Sequence, residues 1–181
     1  NQSEKRTLLP FKKIDAHTYS TGKITASGRI GFGINVYDQL NFAYNKNGIY
    51  SLKMFVNGAL KYHHILETFS FAKSKHLNLL IDYPHYATYK TKYQRLFKHA
   101  KNRLGIYKKI KNRGYIDIKK GLNYNVEIVA SDFKGNKTTI RVPIKGVAGN
   151  SIFKQAKDTT AYKIIAKKFQ KFKQKGVTVA F

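Results

Sequence analysis

The alternation of apolar and polar residues is most regular over residues 123–146, where it predicts a β-hairpin. Every second side chain is apolar or β-branched on either side of a short polar segment: Tyr124, Val126, Ile128 and Ala130 before it, and Thr138, Ile140, Val142 and Ile144 after it. A period of two is typical of strands with one buried face. Asp132, Gly135 and Asn136 in the intervening segment favour a chain reversal. The two strands are therefore predicted to pair around residues 132–136.

The same period predicts strands earlier in the chain. One lies within residues 25–38, and a second occupies residues 49–56. Asn57-Gly58 then provides a strong hairpin turn into an extended segment over residues 60–71. The apolar faces of these strands and of the hairpin are expected to form the core: Ile30, Phe32, Ile34, Val36, Leu52, Met54, Val56, Val126, Ile128, Ile140 and Val142.

After the extended segment, the apolar residues follow a helical period. Ser74 is a suitable N-cap for a first helix, and Pro84 is expected to end it. A weaker helical pattern over residues 86–100 predicts a second helix. The two helices form an insertion at about 74–100 between the strands.

The remaining segments predict further strands. Residues 104–108 and 115–118 are expected to pair with each other as a hairpin. A last strand is predicted over residues 177–181, and since no segment follows to pair with it, we expect it to belong to a second small β-module that is truncated.

Together these elements predict a mainly β protein. The expected fold is an antiparallel immunoglobulin-like β-sandwich with a short two-helix insertion and a small C-terminal β extension. Residues 1–20 are assigned to a linker and edge strand, residues 21–146 to the sandwich, and residues 147–181 to the truncated module.

The charge of the chain adds a functional constraint. Its 35 Lys and Arg residues against 9 Asp and Glu give a net charge of +26 and a pI near 10.2. Such an excess attracts polyanions, including nucleic acid, anionic lipid and wall polymers. Both a generally solvated basic surface and a specific anionic partner fit this composition. The chain has no cysteine, and no apolar run approaches the roughly 20 residues of a transmembrane helix.

Candidate catalytic and metal sites are weak. His63, His64 and Glu67 have metal-ligating side chains, but adjacent histidines on a strand point to opposite faces and do not readily share one ion. Asp82 and His85 could form an acid–base pair, although Asp82 is better explained as closing the helix before the proline. Zinc-protease, nucleophile-elbow and P-loop motifs are absent from the sequence. We therefore assign neither catalytic nor metal-binding residues.

A segment in which tyrosines alternate with basic residues is the best candidate for binding. Its members are Tyr83, Tyr86, Tyr89, Lys90, Lys92 and Arg95. Aromatic rings beside cations are the combination that single-stranded nucleic acids and other polyanions require. The alternative is that Tyr89 and Tyr93 pack on the sheet while the lysines are solvated, as their helical spacing suggests.

Several motifs, in order, resemble a known family. These are GRIGFGINVYDQ, NKNGIYSLKMFVNG, FSFAKSKHLNLLIDY, QRLF and ASDFKGNKTTIRVPIKG, within about residues 8–146. The first, second and last of these motifs resemble bacterial immunoglobulin-like domains, in which D-x-x-G-N joins the last two strands. The ordered set resembles the region downstream of the catalytic domain in lysostaphin-like (metallopeptidase family 23) zinc endopeptidases of Gram-negative bacteria. Residues 177–181 resemble the opening of a further β-module in such proteins.

This resemblance implies a non-catalytic accessory domain of a peptidoglycan metalloendopeptidase-like protein in the periplasm or cell envelope. The implied partners are anionic envelope polymers or a catalytic domain of the same polypeptide, with nucleic acid less favoured. The alternative is a basic module that binds polyanions or nucleic acid. The family's zinc ligands, an H-x-x-x-D pair and an H-x-H element, do not occur in this chain. Zinc is therefore expected only in an upstream catalytic domain, and the isolated chain is expected to be inactive.

Overall fold

A computed structural model describes residues 6–36, 38–39, 46–47, 49–68, 70–148 and 177–180. The described part is mainly β, as the sequence predicts. Its strands are β1 Arg6–Leu9, β2 Phe11–Lys13, β3 Thr18–Thr21, β4 Ile24–Ala26, β5 Gly28–Ile34, β6 Asp38–Gln39, β7 Lys46–Asn47, β8 Ser51–Val56, β9 Ala59–Ile65, β10 Gln94–Arg95, β11 Tyr107–Ile110, β12 Ile116–Ile118, β13 Asn123–Ser131, β14 Lys137–Gly146 and β15 Val177–Ala180.

The larger sheet is built on the predicted hairpin. Its strands follow the order β11-β9-β8-β13-β14-β3-β2, and β4 also pairs with β14. Val126 of β13 lies opposite Val142 of β14 and Val56 of β8, so the three strands share one apolar face. Most pairings are antiparallel, but β14 pairs in parallel with both β3 and β4, which departs from the purely antiparallel expectation.

Both hairpin turns follow from their local sequences. Asn57 and Gly58 have φ values of 49° and 78°, the positive angles that a two-residue hairpin turn requires. In the β13–β14 turn, the Asp132 carboxylate accepts hydrogen bonds from the backbone N–H of Asn136 at 2.8 Å and from its side-chain amide at 2.6 Å. These bonds lower the pKa of Asp132.

The smaller sheet is organised around β5. Its order is β1-β15-β5-β10, and β12 also pairs with β5. The last strand is present as predicted, and it pairs with two strands that precede it in the chain, because β15 lies between β1 and β5 and is antiparallel to both. Residues 149–176 lie outside the described part of the chain, so the proposed division into a sandwich and a second module stays a prediction.

One hydrophobic core joins side chains of the two sheets. Ile30, Phe32 and Ile34 of β5 belong to the same cluster as Leu52, Met54, Ile128 and Val142 of the larger sheet. All members of the predicted core are buried except Val36, which is half-buried against the cluster. The alternation of apolar residues therefore gave the correct buried face of each strand.

The helical region contains two short helices, a 3₁₀ helix at Phe71–Leu79 and helix α1 at Tyr83–Tyr89. The prediction of a helix over residues 86–100 is wrong beyond Tyr89. Lys90 has the left-handed φ of 55° and ends α1, and the chain then enters β10, which pairs with β5. The expected boundaries of the first helix are also wrong, because the 3₁₀ helix begins at Phe71 with Ser70, not Ser74, at its N-cap. Pro84 does not end a helix but lies in the first turn of α1, where the lack of an N–H costs nothing. In the described part of the chain no helix has the length and apolar character needed to cross a membrane.

The predicted hairpin of residues 104–108 and 115–118 is also wrong. β11 pairs with β9 in the larger sheet, whereas β12 pairs with β5 in the smaller sheet. The reversal between them includes a short 3₁₀ segment, Asn112–Gly114, in which Asn112, Arg113 and Gly114 all have positive φ. The segment redirects the chain from one sheet to the other rather than folding it back on itself.

Candidate functional site

Helix α1 stands on a loop that is closed by backbone hydrogen bonds. The N–H of Asp82 donates to the carbonyl of Tyr93, and the N–H of Arg95 donates to the carbonyl of Leu80, both at 2.8 Å. Ile81 forms an isolated β-bridge with Gln94 between these bonds. Because β10 pairs with β5, the loop is attached directly to the smaller sheet.

The outer side of this loop carries five of the six predicted binding residues. We call Tyr83, Tyr86, Tyr89, Lys90 and Lys92 the tyrosine–lysine surface. The ammonium groups of Lys90 and Lys92 lie 6.0 and 5.4 Å from the ring centroid of Tyr86, within cation–π range. The ring of Tyr83 lies 6.3 Å from that of Tyr86. Tyr83 and Tyr89 are 48% and 67% exposed, so their rings are accessible to a ligand.

The backbone at the end of α1 positions the two lysines. The left-handed conformation of Lys90 turns the chain immediately after the helix, while its N–H still donates to the carbonyl of Tyr86 at 2.9 Å. The carbonyl of Lys92 accepts a hydrogen bond from the side-chain amide of Asn35 at 3.0 Å. This turn brings both side chains back toward the ring of Tyr86.

Arg95, the sixth predicted binding residue, is buried and lies apart from this surface. It is 9% exposed, and its guanidinium lies 3.5 Å from the carboxylate of Asp82. The guanidinium also lies 5.5 Å from the ring centroid of Phe97. Arg95 therefore closes the base of the loop from inside.

The alternative interpretation of the tyrosines is correct for Tyr93 and wrong for Tyr89. Tyr93 is buried, whereas Tyr89 is mostly exposed. The imidazole of His85 contacts both, with ring centroids 4.6 Å from Tyr89 and 5.0 Å from Tyr93. Asp82 occupies the N-cap position of α1 without a side-chain capping bond and pairs instead with Arg95. Asp82 therefore forms an ion pair with a guanidinium, whereas His85 packs against two tyrosine rings.

A buried polar network connects β10 to the larger sheet. The Tyr62 hydroxyl donates to the carbonyl of Arg95 at 3.2 Å and lies 2.9 Å from Nδ1 of His64. Because the hydroxyl has one proton, Nδ1 of His64 must be the donor in the second bond. Nε2 of His64 then accepts from the side-chain amide of Gln94 at 3.0 Å. Every polar atom of these rings is satisfied when His64 is neutral.

Burial of this network changes the pKa values of its members. Desolvation, together with the charge of the nearby His63, lowers the pKa of His64 to about 3. Desolvation raises the pKa of Tyr62 well above its usual value, and it raises that of Tyr107 to about 12. The Tyr107 hydroxyl accepts a hydrogen bond from Asn102 at 2.9 Å. The network is therefore uncharged near neutral pH and acts as a support for the loop.

The histidine pair has the geometry that the sequence predicts. His64 is fully buried, and His63 lies on the opposite, partly exposed face of β9. Within the described ranges, no three His, Asp or Glu side chains come together as a metal-binding group.

Comparisons with known proteins give no match. No protein-family model matches the chain, and neither the characterised proteins nor the solved structures include one with significant similarity. The resemblance to envelope endopeptidases therefore remains a proposal from the sequence motifs.

Proposed function

We propose that this chain is a polyanion-binding domain that acts as a non-catalytic accessory module of a cell-envelope protein. The observation that carries the proposal is the placement of two lysine ammonium groups over the single ring of Tyr86 on an exposed loop. Contact with one ring favours conformations in which the two cations lie near each other, so an anion that bridges them meets a partly ordered site. Less side-chain entropy is then lost on binding.

The overall charge favours the same type of ligand. A net charge of +26 raises the local concentration of polyanions and accelerates their association. At physiological ionic strength, exposed charges are screened over about 8 Å, so only cations close to the bound polymer contribute specific affinity. Lys90 and Lys92 lie over the ring of Tyr86, on the same loop as the exposed rings of Tyr83 and Tyr89.

The envelope context comes from the sequence motifs. Two β-sheets with a shared core are compatible with the immunoglobulin-like sandwich that we propose for residues 21–146. Such a domain would position a catalytic domain of the same polypeptide on peptidoglycan or on another anionic envelope polymer in the periplasm. Zinc would belong to that catalytic domain. The purified chain should hydrolyse neither peptidoglycan nor peptides when zinc is added, and zinc-dependent cleavage would contradict this assignment.

Single-stranded nucleic acid is the second candidate ligand. The exposed rings of Tyr83 and Tyr89 favour it, because bases stack on accessible aromatic faces beside cations. A nucleic acid and a wall polymer differ in this respect, since a wall polymer offers carboxylates and phosphates but no bases.

Co-sedimentation with purified peptidoglycan tests the proposal. Wild-type protein should pellet with it, and the Lys90→Ala/Lys92→Ala variant should pellet several-fold less. Lys119→Ala/Lys120→Ala removes the same charge from exposed positions between β12 and β13 and should behave as wild type. Equal pelleting of all three proteins would contradict the proposed role of the surface. Release of bound protein by a single-stranded oligonucleotide, but not by soluble peptidoglycan fragments, would favour the second candidate.

A further inference from the structure

A β-bulge in the larger sheet places two lysines opposite one histidine. The register between β11 and β9 shifts between Tyr107 and Lys109, so that Tyr107 lies opposite His64 and Lys109 lies opposite His63. Lys108 is the extra residue of this bulge, in which two residues oppose one. Lys108 and Lys109 are both exposed at the edge of the sheet.

A third lysine lies on the other side of the same histidine. Lys53 of β8 is paired with His63 across the β8–β9 ladder, and paired residues share a face of the sheet. Nε2 of His63 lies 3.2 Å from the hydroxyl of Ser51. We call Ser51, Lys53, His63, Lys108 and Lys109 the bulge cluster. Like charges in adjacent positions of a sheet are destabilising, so repulsion between these lysines lowers the stability of the folded state. A bound anion would remove this repulsion.

The surroundings of His63 contain positive charge from each neighbouring strand. Lys53 faces it from β8, Lys108 and Lys109 face it from β11, and Lys61 lies two positions earlier in β9 itself. Desolvation and the charges of Lys53 and Lys108 lower the pKa of His63. On its other side, Lys53 is paired with the uncharged Val129 of β13. The positive charge around His63 therefore comes from β11, β9 and β8.

We propose that the bulge cluster is a binding site for a phosphate group, and that binding is coupled to protonation of His63. A phosphate has several oxygens that can accept from a hydroxyl, an imidazolium and ammonium groups at once, and lysine is a common phosphate ligand. A bound phosphate favours the imidazolium, so phosphate binding and protonation of His63 strengthen each other. The proposal does not rest on the proposed function, because the tyrosine–lysine surface takes no part in it.

NMR titration of the histidine Cε1–H signals in the intact chain tests this site. The signal of His63 is assigned with the His63→Gln variant, and the pH is varied with and without inorganic phosphate at constant ionic strength. Phosphate should raise the pKa of His63 by about 1 unit, as a nearby opposite charge does. The signal of exposed His17 should respond much less, which excludes a general electrostatic effect.

Two double-lysine variants show which lysines are needed for phosphate to change the pKa of His63. Lys108→Ala/Lys109→Ala, at two exposed edge positions, should abolish the response of His63 to phosphate, whereas Lys119→Ala/Lys120→Ala should retain it. A second arm with phosphatidic acid in phosphatidylcholine vesicles identifies the source of the group. A response only to vesicles indicates a lipid headgroup, and a response to inorganic phosphate indicates a free phosphate. A pKa of His63 that neither probe changes, or an equal loss in both lysine variants, would overturn the proposal.

Discussion

The guanidinium of Arg95 lies 3.5 Å from the carboxylate of Asp82, and the two side chains are only 11% and 9% exposed. The two residues lie at the two ends of the loop that carries α1, so this ion pair fixes the base of the tyrosine–lysine surface. In the sequence, Arg95 follows the lysines of the surface and has the same charge. The buried partner gives it a structural role instead.

Removal of Asp82 should strongly destabilise the protein. Asp82→Ala leaves a buried guanidinium without its counter-ion, and the free energy of unfolding should fall by about 3–5 kcal/mol. Urea denaturation measures the change. Glu127→Ala is the matched control, because the Glu127–Arg141 pair is 38% and 56% exposed and should cost no more than about 1 kcal/mol. A similar cost for both variants would show that burial of the Asp82 pair has no energetic consequence.

Gly114 should not tolerate a side chain. Its φ is +87°, and a Cβ atom would meet the carbonyl oxygen of Leu96. Gly121 has a similar φ of +81° but has open space around the Cβ position. Gly121→Ala should therefore cost about 1–2 kcal/mol for the left-handed conformation alone, and Gly114→Ala should cost clearly more. Equal unfolding free energies for the two variants in urea would contradict the close approach of these segments.

Acidification should destabilise the protein through His64. Its pKa is about 3 in the folded state and about 6.5 when unfolded, so between these values the unfolded chain binds a proton that the folded chain does not. Stability is therefore fully present above about pH 6.5 and decreases as the pH falls. The free energy of unfolding should decrease by about 2 kcal/mol between pH 7 and pH 5.

Urea denaturation at the two pH values, repeated for His64→Gln, checks this prediction. The variant should be less stable at pH 7 but should lose much less stability on acidification. The lowered pKa of His63 acts in the same direction, so the His63→Gln variant measures its share. If His64→Gln has the same pH dependence as the wild type, the assignment to His64 is wrong.

The parts of the fold that were predictable depend on local sequence. Asn57-Gly58 and residues 132–136 specify their turns, and alternation specifies which side chains of β13 and β14 are buried. Pairings between distant segments were not predictable. The contact of β15 with β1 and β5 joins opposite ends of the chain, and no local pattern reports it.

The candidate site was predictable in composition but not in arrangement. The sequence predicted a helix that includes Tyr86 and Tyr89, but it placed a helix end at Pro84, whereas α1 begins at Tyr83 and contains all three tyrosines. The end of this helix depends on the positive φ of Lys90, a conformation that lysine rarely adopts and that its sequence does not suggest. The bulge that brings Lys108 and Lys109 to His63 depends on the pairing of β11 with β9, which the predicted hairpin missed.

The salt dependence of polyanion binding tests the central claim most directly. Fluorescence anisotropy gives the affinity for a labelled single-stranded oligonucleotide, used as a defined polyanion, over a series of NaCl concentrations. Each lost phosphate contact reduces the slope of log affinity against log salt by about 0.7. The slope for Lys90→Ala/Lys92→Ala should therefore be smaller than that of the wild type by about 1.4, while the slope for Lys119→Ala/Lys120→Ala stays at the wild-type value. Equal slopes for the two variants would contradict the account, because the charge would then act as a diffuse field without a site at Tyr86.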